Sequence, residues 1–346
     1  MGEHEKKEST MESSRSGRTK FVAIGAGIAI VVAIGIGLAV SMGNNAQTSD
    51  NSRSVSWIHV HGLGVDPSDA GVLYIATHGD FYKSVDGGVP VKADKQRADY
   101  MAFNAPQAEG APLYSSGHPS TGGNTGLIKS TDGGQTWQTV SSVLDPPVDF
   151  HAMSVSASDP NVIIGFDSGG RGLLKTTDAG STWERFEYPG DYVIALAISP
   201  NDRNRIFVGT PGGLFQSDDG AATWTQLNQY EGIEVMALAF DAEGNLYAST
   251  EEFGLARSLD LGETWQNISR PPDSLTATSI AVDSENKVLY VAGHAAPQGY
   301  QEVFRGSLDG SDWQLVGTNK GLPTVVFDMV SADLSNHVVF LISPFF

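Results

Sequence analysis

Cysteine is absent from the 346 residues of the chain. The protein therefore has no disulfide framework, no thiolate metal site and no cysteine that could carry a lipid. Basic residues are few, because 21 lysines and arginines stand against 40 aspartates and glutamates, for a formal net charge of −19. Nucleic-acid binding depends on neutralising phosphates with Lys and Arg, so no nucleic-acid partner is expected. Helical periodicity is also lacking from residue 57 onward, which excludes a mainly helical domain there.

One long apolar run is present near the N-terminus, where residues 21–42 contain no charged side chain. About 20 apolar residues cross a bilayer as a helix, so this run predicts a transmembrane anchor or an uncleaved signal. Basic residues precede it, which places residues 1–20 as a cytoplasmic tail and the rest of the chain outside the cell membrane. Residues 43–56 are polar and predict a flexible stalk. The alternative is cleavage after the small residues 39–41 and secretion of the product.

A motif of the form Ser/Thr-x-Asp-x-Gly-x-Thr-Trp, with Ala221 at the glycine position of one copy, recurs along the remaining sequence. Four copies occupy residues 130–137, 176–183, 217–224 and 258–265, and two more degenerate copies begin at residues 84 and 307. The aspartates of the six copies are Asp86, Asp132, Asp178, Asp219, Asp260 and Asp309, at spacings of 46, 46, 41, 41 and 49 residues. The tryptophans that end the motif are Trp137, Trp183, Trp224, Trp265 and Trp313. A repeat of this length indicates an architecture built from successive, similar units.

Each period contains four short apolar segments separated by turn residues. In the fourth period they are residues 193–198, 205–209, 213–216 and 223–227. Four antiparallel strands in 40–50 residues are typical of one blade of a β-propeller, so residues 57–346 are predicted to be all-β. First strands are predicted at residues 58–65, 100–105, 150–155, 193–198, 235–240, 278–282 and 326–331. Seven starts favour seven blades with the last one incomplete, and six blades are the alternative.

The recurring motif resembles the Asp box, or BNR repeat, of sialidases, of the sortilin propeller and of photosystem II assembly factor-like propellers. The resemblance implies structural roles: the aspartate accepts hydrogen bonds from turn N–H groups, the glycine supplies a positive φ, and the tryptophan packs between blades. In these families the box lies at the periphery, away from the ligand site. Sialidase activity is not expected, because the Phe/Tyr-Arg-Ile-Pro segment and an arginine triad are not evident in the sequence.

Two further segments narrow the resemblance. Residues 58–64 read Ile-His-Val-His-Gly-Leu-Gly and residues 76–79 read Ala-Thr-His-Gly. They resemble a group of membrane-anchored or secreted bacterial and archaeal BNR-type propellers that carry the label glycosyl hydrolase-like. The resemblance suggests a subfamily and does not imply a particular reaction.

Six of the eight histidines fall at recurring repeat positions. Second strands end with His78, His118 and His294, and the same position holds Asp167 and Glu251 in other repeats. First strands carry His61 and His151 in register, and two residues earlier stand His59, Asp99, Asp149 and Glu234. In a propeller the first strand begins and the second strand ends on the same face. These side chains are therefore predicted to gather at one mouth of the central channel, where His294 adjoins the first repeat only if there are six blades.

Imidazoles and carboxylates together are suitable ligands for transition metals. The sequence predicts a divalent metal (Zn, Cu, Fe or Mn) held by residues from the set His59, His61, His78, His118, His151 and His294. The alternative is a purely structural role, in which each histidine only forms hydrogen bonds with backbone groups at the end of a strand.

Three functional hypotheses follow from this mouth. The first is a binding propeller that captures a ligand, a metal, or a protein or glycan partner. The second is a glycoside hydrolase-like or metal-dependent hydrolase on the same face, with Asp149, Asp167 and Glu251 as candidate catalytic carboxylates. The third is a structural spacer at the cell surface.

Overall fold

The computed structural model describes residues 53–272, 275–295 and 299–320. The predicted tail, the anchor, most of the stalk and the seventh predicted first strand lie outside these residues. Within them, no helix is long and apolar enough to cross a membrane. The described residues consist mainly of strands and turns, with a short 3-10 helix at Asn228–Tyr230.

The described residues form 24 strands in six four-stranded antiparallel sheets. Blade 1 contains β1 (Val60–Asp66), β2 (Asp69–Thr77), β3 (Phe81–Val85) and β4 (Val91–Lys92). Blade 2 contains β5 (Ala98–Asn104), β6 (Leu113–Pro119), β7 (Leu127–Ser130) and β8 (Gln138–Ser141). Blade 3 contains β9 (Phe150–Val155), β10 (Ile163–Asp167), β11 (Gly172–Thr176) and β12 (Glu184–Phe186). Blade 4 contains β13 (Ala195–Ser199), β14 (Asp202–Thr210), β15 (Gly213–Ser217) and β16 (Thr225–Gln226). Blade 5 contains β17 (Val235–Phe240), β18 (Leu246–Thr250), β19 (Gly254–Ser258) and β20 (Gln266–Ile268). Blade 6 contains β21 (Thr276–Asp283), β22 (Val288–Ala295), β23 (Tyr300–Ser307) and β24 (Gln314–Thr318).

The ring of blades closes after the sixth. The first strands of successive blades contact one another in order, and β21 of blade 6 contacts β1 of blade 1. The predicted all-β propeller is confirmed, and the six-bladed alternative is the correct one. The seven-bladed interpretation is wrong for the ring that the structure describes, because direct packing of β21 on β1 leaves no gap for another blade.

The end of the predicted stalk packs on the propeller. Ser54 forms a parallel bridge with Thr318 on the outer strand of blade 6. The N–H of Val55 donates to the Thr318 carbonyl at 2.8 Å, and Val55 and Trp57 are buried in the core between blades 6 and 1. Residues 53–56 therefore adjoin the propeller, because Val55 finds apolar partners there.

Both faces of each blade are buried, and β2 shows why. Leu73 and Ile75 pack in a cluster with side chains of blade 6, whereas Val72, Tyr74 and Ala76 pack in a cluster with blade 2. Side chains alternate between the two faces of a strand, so a strand with a neighbouring blade on each side needs apolar residues at every position. This explains the continuous apolar runs of the sequence.

The Asp box has the same hydrogen-bond geometry in the four copies that end in Thr-Trp. Asp132 accepts the Thr136 N–H at 2.8 Å and the Thr136 hydroxyl at 2.6 Å, while Ser130 donates to Asp132 at 2.9 Å. Gly134 has a φ of 81°, and the Trp137 ring packs edge-on against an aromatic ring of blade 1 with centroids 5.3 Å apart. The same carboxylate–threonine pairs are Asp178 with Thr182, Asp219 with Thr223 and Asp260 with Thr264.

The two degenerate copies of the Asp box have different hydrogen bonds. Asp309 accepts the N–H and the hydroxyl of Ser311 at 3.0 and 2.8 Å, two residues away instead of four. Asp86 has a φ of 51°, and its backbone carbonyl accepts a hydrogen bond from Arg305 at 3.1 Å. In the other four copies, the N–H and the hydroxyl of one threonine both donate to the aspartate, and we call this pair of hydrogen bonds the threonine clamp. Neither of these two hairpins has the threonine clamp.

Candidate functional site

A β-bulge in the first strands brings side chains to the channel. The pairing register shifts across His61 in β1, His151 in β9, Met236 in β17 and Thr278 in β21, so each is an extra residue in its strand. Each blade contributes three consecutive residues to the lining of a channel cavity of about 110 Å³, and these four, with Ala102 and Ile194, are the first of the three in their blades. We call these six residues the collar. His61 and His151 occupy the same place in their strands, as the repeat alignment predicts, because the bulge recurs in both.

Above the collar, the two predicted repeat positions meet across blade boundaries. His78 at the end of β2 lies 3.3 Å from the Asp99 carboxylate in β5. His118 in β6 lies 3.4 Å from the Asp149 carboxylate, which precedes β9. At a third boundary, the His294 and His59 rings have centroids 5.3 Å apart, as a six-bladed ring requires.

At blades 2 and 3, three side chains of the channel mouth surround one carboxylate oxygen. Oδ2 of Asp149 lies 2.9 Å from Nε2 of His151 and 3.4 Å from Nε2 of His118, and it accepts the Ser168 hydroxyl at 2.9 Å. The other oxygen, Oδ1, is buried and has no hydrogen-bond partner among the described residues. Nδ1 of His118 lies 3.1 Å from the Gly123 carbonyl. We call His118, Asp149 and His151 the triad.

The negative charge of Asp149 and the positive charge of His118 stabilise each other. Burial raises the pKa of the Asp149 carboxyl, but hydrogen bonds from His118 and His151 outweigh burial and hold that pKa well below its ordinary value. The hydrogen bond to Asp149 raises the pKa of His118 to about 9, although burial acts in the opposite direction. Without a metal ion, the pair is therefore an imidazolium and a carboxylate at neutral pH.

The histidines of blade 1 have the opposite character. The ring centroids of His59 and His61 lie 4.7 Å apart, and those of His61 and His78 lie 6.0 Å apart. Burial, and after it the charges of His294 and His78, lower the pKa of His59 to about 4. Burial is also the main reason why the pKa of His61 lies well below its ordinary value. Both rings are therefore neutral at pH 7.

The remaining predicted carboxylates lie elsewhere. Asp167 is fully buried, and its oxygens accept the N–H groups of Asp149 at 2.8 Å and Arg171 at 3.1 Å. It holds the loop that positions Asp149. Glu251 is exposed and lines a surface depression of blade 5 together with Glu234.

Several residues near the mouth are not found by sequence reasoning. Ser168 donates to Asp149, and the buried side chain of Gln301 contacts His294. Met236 and Thr278 join the collar. The repeat alignment contains a signal for these last two, because they stand in register with His61 and His151. The sequence carries no comparable signal for Ser168 or Gln301.

The triad fits a transition metal ion. Nitrogen and oxygen ligands lie about 2.0–2.2 Å from zinc, so ligand atoms at two corners of a tetrahedron are about 3.4 Å apart. The two nitrogen–oxygen distances of 2.9 and 3.4 Å are close to that value, and all three ligand atoms lie within 4.8 Å of one another. The Gly123 carbonyl accepts Nδ1–H of His118, which directs Nε2 to the metal position and is a common outer contact of metal-binding histidines.

A family model described as photosynthesis system II assembly factor YCF48 matches residues 117–232, a segment that contains the triad. No curated protein matches the chain. Among solved structures, a GH74 enzyme of Niastella koreensis aligns with a TM-score of 0.54 and 17% identity over 74% of this chain and 45% of that chain. A GH74 xyloglucanase of Xanthomonas campestris aligns with a TM-score of 0.51 and 18% identity, over 76% of this chain and 46% of that chain. A structure titled "YCF48 bound to D1 peptide" aligns with a TM-score of 0.46 and 16% identity, over 76% of this chain and 83% of that chain.

This chain spans less than half the length of the two GH74 enzymes. At identities below 20%, the structural likeness concerns the fold. Six four-stranded blades, the recurring Asp boxes and the matching family model agree with one another. The chain is a BNR-type β-propeller.

Proposed function

We propose that this protein is a membrane-anchored, extracytoplasmic propeller that binds a divalent transition metal at its channel mouth and uses it to hold a ligand or partner. The observation that carries the proposal is the pair of imidazole nitrogens, from His118 and His151, that face one oxygen of Asp149 at 3.4 and 2.9 Å. A two-histidine, one-carboxylate set suits zinc, iron or manganese.

Three protein ligands leave at least one coordination position for an exchangeable group. His118 and His151 each keep about a third of the side chain exposed, so a group from solvent has access to the site. The ligand or partner then needs a donor atom of its own, such as a carboxylate, carbonyl or hydroxyl oxygen. A protein or a glycan can supply it, and the metal ion fixes its position.

A metal-dependent hydrolase is the second candidate, since an open metal position can also activate water. The same triad would act, with no part for Asp167, whose oxygens are engaged by backbone N–H groups. A glycosidase that relies on Asp149 and Asp167 as its acid and base is not favoured by this geometry, because an acid/base pair needs carboxyls that reach the substrate.

The decisive experiment measures bound metal in the full chain, purified in detergent without chelator. The variant combines Asp149→Asn with His151→Ala, and the matched control is Glu251→Gln, which changes a carboxylate of the same face outside the triad. After dialysis against zinc, the double variant should retain one equivalent less than the wild type, and the control should equal the wild type. Equal zinc in all three proteins would refute a metal site at the triad.

The location outside the membrane is tested separately. Residues 21–42 predict a single crossing, so the protein should sediment with membranes and dissolve only in detergent. In intact cells, external protease should remove an epitope placed after residue 320 and spare one placed at residue 1. Recovery of the protein from the medium without residues 1–41 would instead support the cleaved-signal alternative.

A further inference from the structure

We infer that Tyr192 is a stacking platform for a sugar ring, and that the ligand held at the triad is a neutral oligosaccharide. The inference rests on the proposed function and deepens it, because the triad with its metal ion supplies the polar half of the site. Small-molecule sites combine an apolar or aromatic wall with a few placed polar groups. A sugar ring matches that combination, since its faces carry C–H groups and its edge carries hydroxyl groups.

Tyr192 in blade 4 occupies the repeat position of Asp149 in blade 3. Each stands two residues before the collar residue of its blade, which is Ile194 in blade 4 and His151 in blade 3. The two blades are neighbours, because β9 and β13 contact each other. Burial, and after it the charge of Asp149, raise the pKa of Tyr192, which agrees with a tyrosine close to that carboxylate. Tyr192 therefore adjoins the triad at the mouth.

The ring of Tyr192 is supported from one side and remains accessible. It meets the ring of Phe166 in β10 nearly at right angles, with centroids 5.0 Å apart and 78° between the planes. Phe166 is 3% exposed, so it gives Tyr192 a fixed support. An edge-to-face contact covers at most one face of each ring, and Tyr192 is 37% exposed. The exposed part of the tyrosine is available to a ligand.

The triad supplies the contact for hydroxyl groups. In the proposed function its metal ion has an open coordination position, and a hydroxyl oxygen is one of the donors that can fill it. The side chains of His118 and His151 are 35% and 34% exposed, so this position is open to solvent. With Tyr192 in the neighbouring blade, one sugar ring can stack on the tyrosine while its hydroxyl group binds the metal ion.

The surroundings favour a neutral sugar over two other occupants. The chain has a formal net charge of −19, so an acidic polysaccharide would be repelled. Proline-rich peptides bind in grooves lined by several aromatic rings. Among the described residues, the two exposed aromatic side chains are Tyr192 and Phe253, and Phe253 lies in blade 5, which contributes nothing to the triad. A single aromatic ring beside polar ligand groups suits one sugar ring.

The test is isothermal titration calorimetry of the full chain, loaded with zinc, in a detergent without a sugar head group. The probes are cellohexaose, maltohexaose, xylohexaose and mannohexaose, and at least one should bind with a dissociation constant of about 1 mM or below. Tyr192→Ala and Tyr192→Ser should each weaken that binding about tenfold, which corresponds to about 1.4 kcal/mol of lost ring contact. Tyr192→Phe should keep it, and Phe253→Ala is the matched control without effect. Thermal unfolding shows whether each variant is folded.

Two further readouts separate stacking from a structural role. Sugar C–H protons that lie over an aromatic ring shift upfield, so NMR should show this shift with the wild type and Tyr192→Phe, and not with Tyr192→Ala. The zinc content of all the Tyr192 variants should equal that of the wild type, because the tyrosine is not a metal ligand. Asp149→Asn with His151→Ala should lose zinc and bind the sugar more weakly.

The outcomes distinguish the inference from the proposed function. No binding of any of the four sugars, or equal binding by the wild type and Tyr192→Ala, would overturn the inference, and zinc lost in the triad variant would leave the proposed function standing. Binding of hexagalacturonate or of an oligoproline peptide in place of the neutral sugars would overturn the assigned ligand class. If the wild type holds no zinc and still binds a sugar through Tyr192, the proposed function fails and the stacking platform stands.

Discussion

Replacement of Asp149 by Asn should lower the pKa of His118 in metal-free protein. The hydrogen bond to Asp149 is the main cause that raises this pKa to about 9, so the variant value should fall towards the ordinary 6.5. Asn keeps the size of the side chain and removes its charge. The perturbation therefore reports on the interaction of one imidazolium with one carboxylate.

The magnitude follows from the change in pKa. At about 1.4 kcal/mol per pKa unit, a change from 9 to 6.5 corresponds to an interaction of about 3 kcal/mol. The His118 side chain is 35% exposed, so solvent screening reduces its contribution to folding stability to about 1 kcal/mol. Because the folded pKa is raised, this stability is fully present below pH 6.5 and is lost as the pH rises through about 9.

Two measurements test the reasoning in the presence of chelator. Nitrogen-15 NMR of the histidine rings gives the pKa of His118 directly. Urea unfolding at about pH 6 and about pH 9.5 should show the wild type losing about 1 kcal/mol of its advantage over Asp149→Asn between the two values. The control is Asp99→Asn, because Asp99 contributes less than Asp149 to raising the pKa of His118. A His118 pKa that stays near 9 in Asp149→Asn would refute the reasoning.

Three further predictions concern the scaffold, with urea unfolding as the measurement. Asp132→Ala removes three hydrogen bonds of an Asp box and should cost about 2 kcal/mol, more than Asp309→Ala, whose carboxylate bonds a single neighbouring residue; an equal cost would contradict the role of the threonine clamp. Phe207→Ala empties a fully buried position and should cost about 3–5 kcal/mol while bound zinc per folded protein is unchanged; a cost below about 1 kcal/mol would contradict close packing there. Gly134→Ala should be far more destabilising than Gly110→Ala: both have positive φ, about 1–2 kcal/mol for a non-glycine residue, but only at Gly134 would the added Cβ lie 2.2 Å from an aromatic ring.

The fold was largely predictable because its information is local. The Asp box specifies a hairpin through contacts within four residues, such as Asp132 with Thr136, so each copy can be identified without knowledge of its neighbours. The strand signal is local as well, since residues 72–76 of β2 are apolar at every position and pack on both faces of the strand. The number of blades is not a local property. It depends on the angle at which whole blades pack, and apolar segments near the C-terminus suggested a seventh start.

The candidate site was predictable as a set of residues and not as an arrangement. Repeat alignment brought His118, Asp149 and His151 to one face because equivalent strand positions lie at equivalent heights in a propeller. The alignment also brought Asp167 and Glu251 to that face, and it has no means of showing that Asp167 binds backbone N–H groups instead of facing the channel. The direction in which a side chain points at the end of a strand depends on the loop that follows.

By itself, the sequence determined the repeat, the all-β character, the absence of thiolate chemistry, and the face on which the histidines gather. These properties follow from composition and from contacts a few residues apart. Tertiary structure alone decided that the ring closes at six blades, that Asp149 joins two imidazoles at one oxygen, and that Gln301 engages His294. Each of these depends on distances between residues of different strands or blades, which no spacing along the chain encodes.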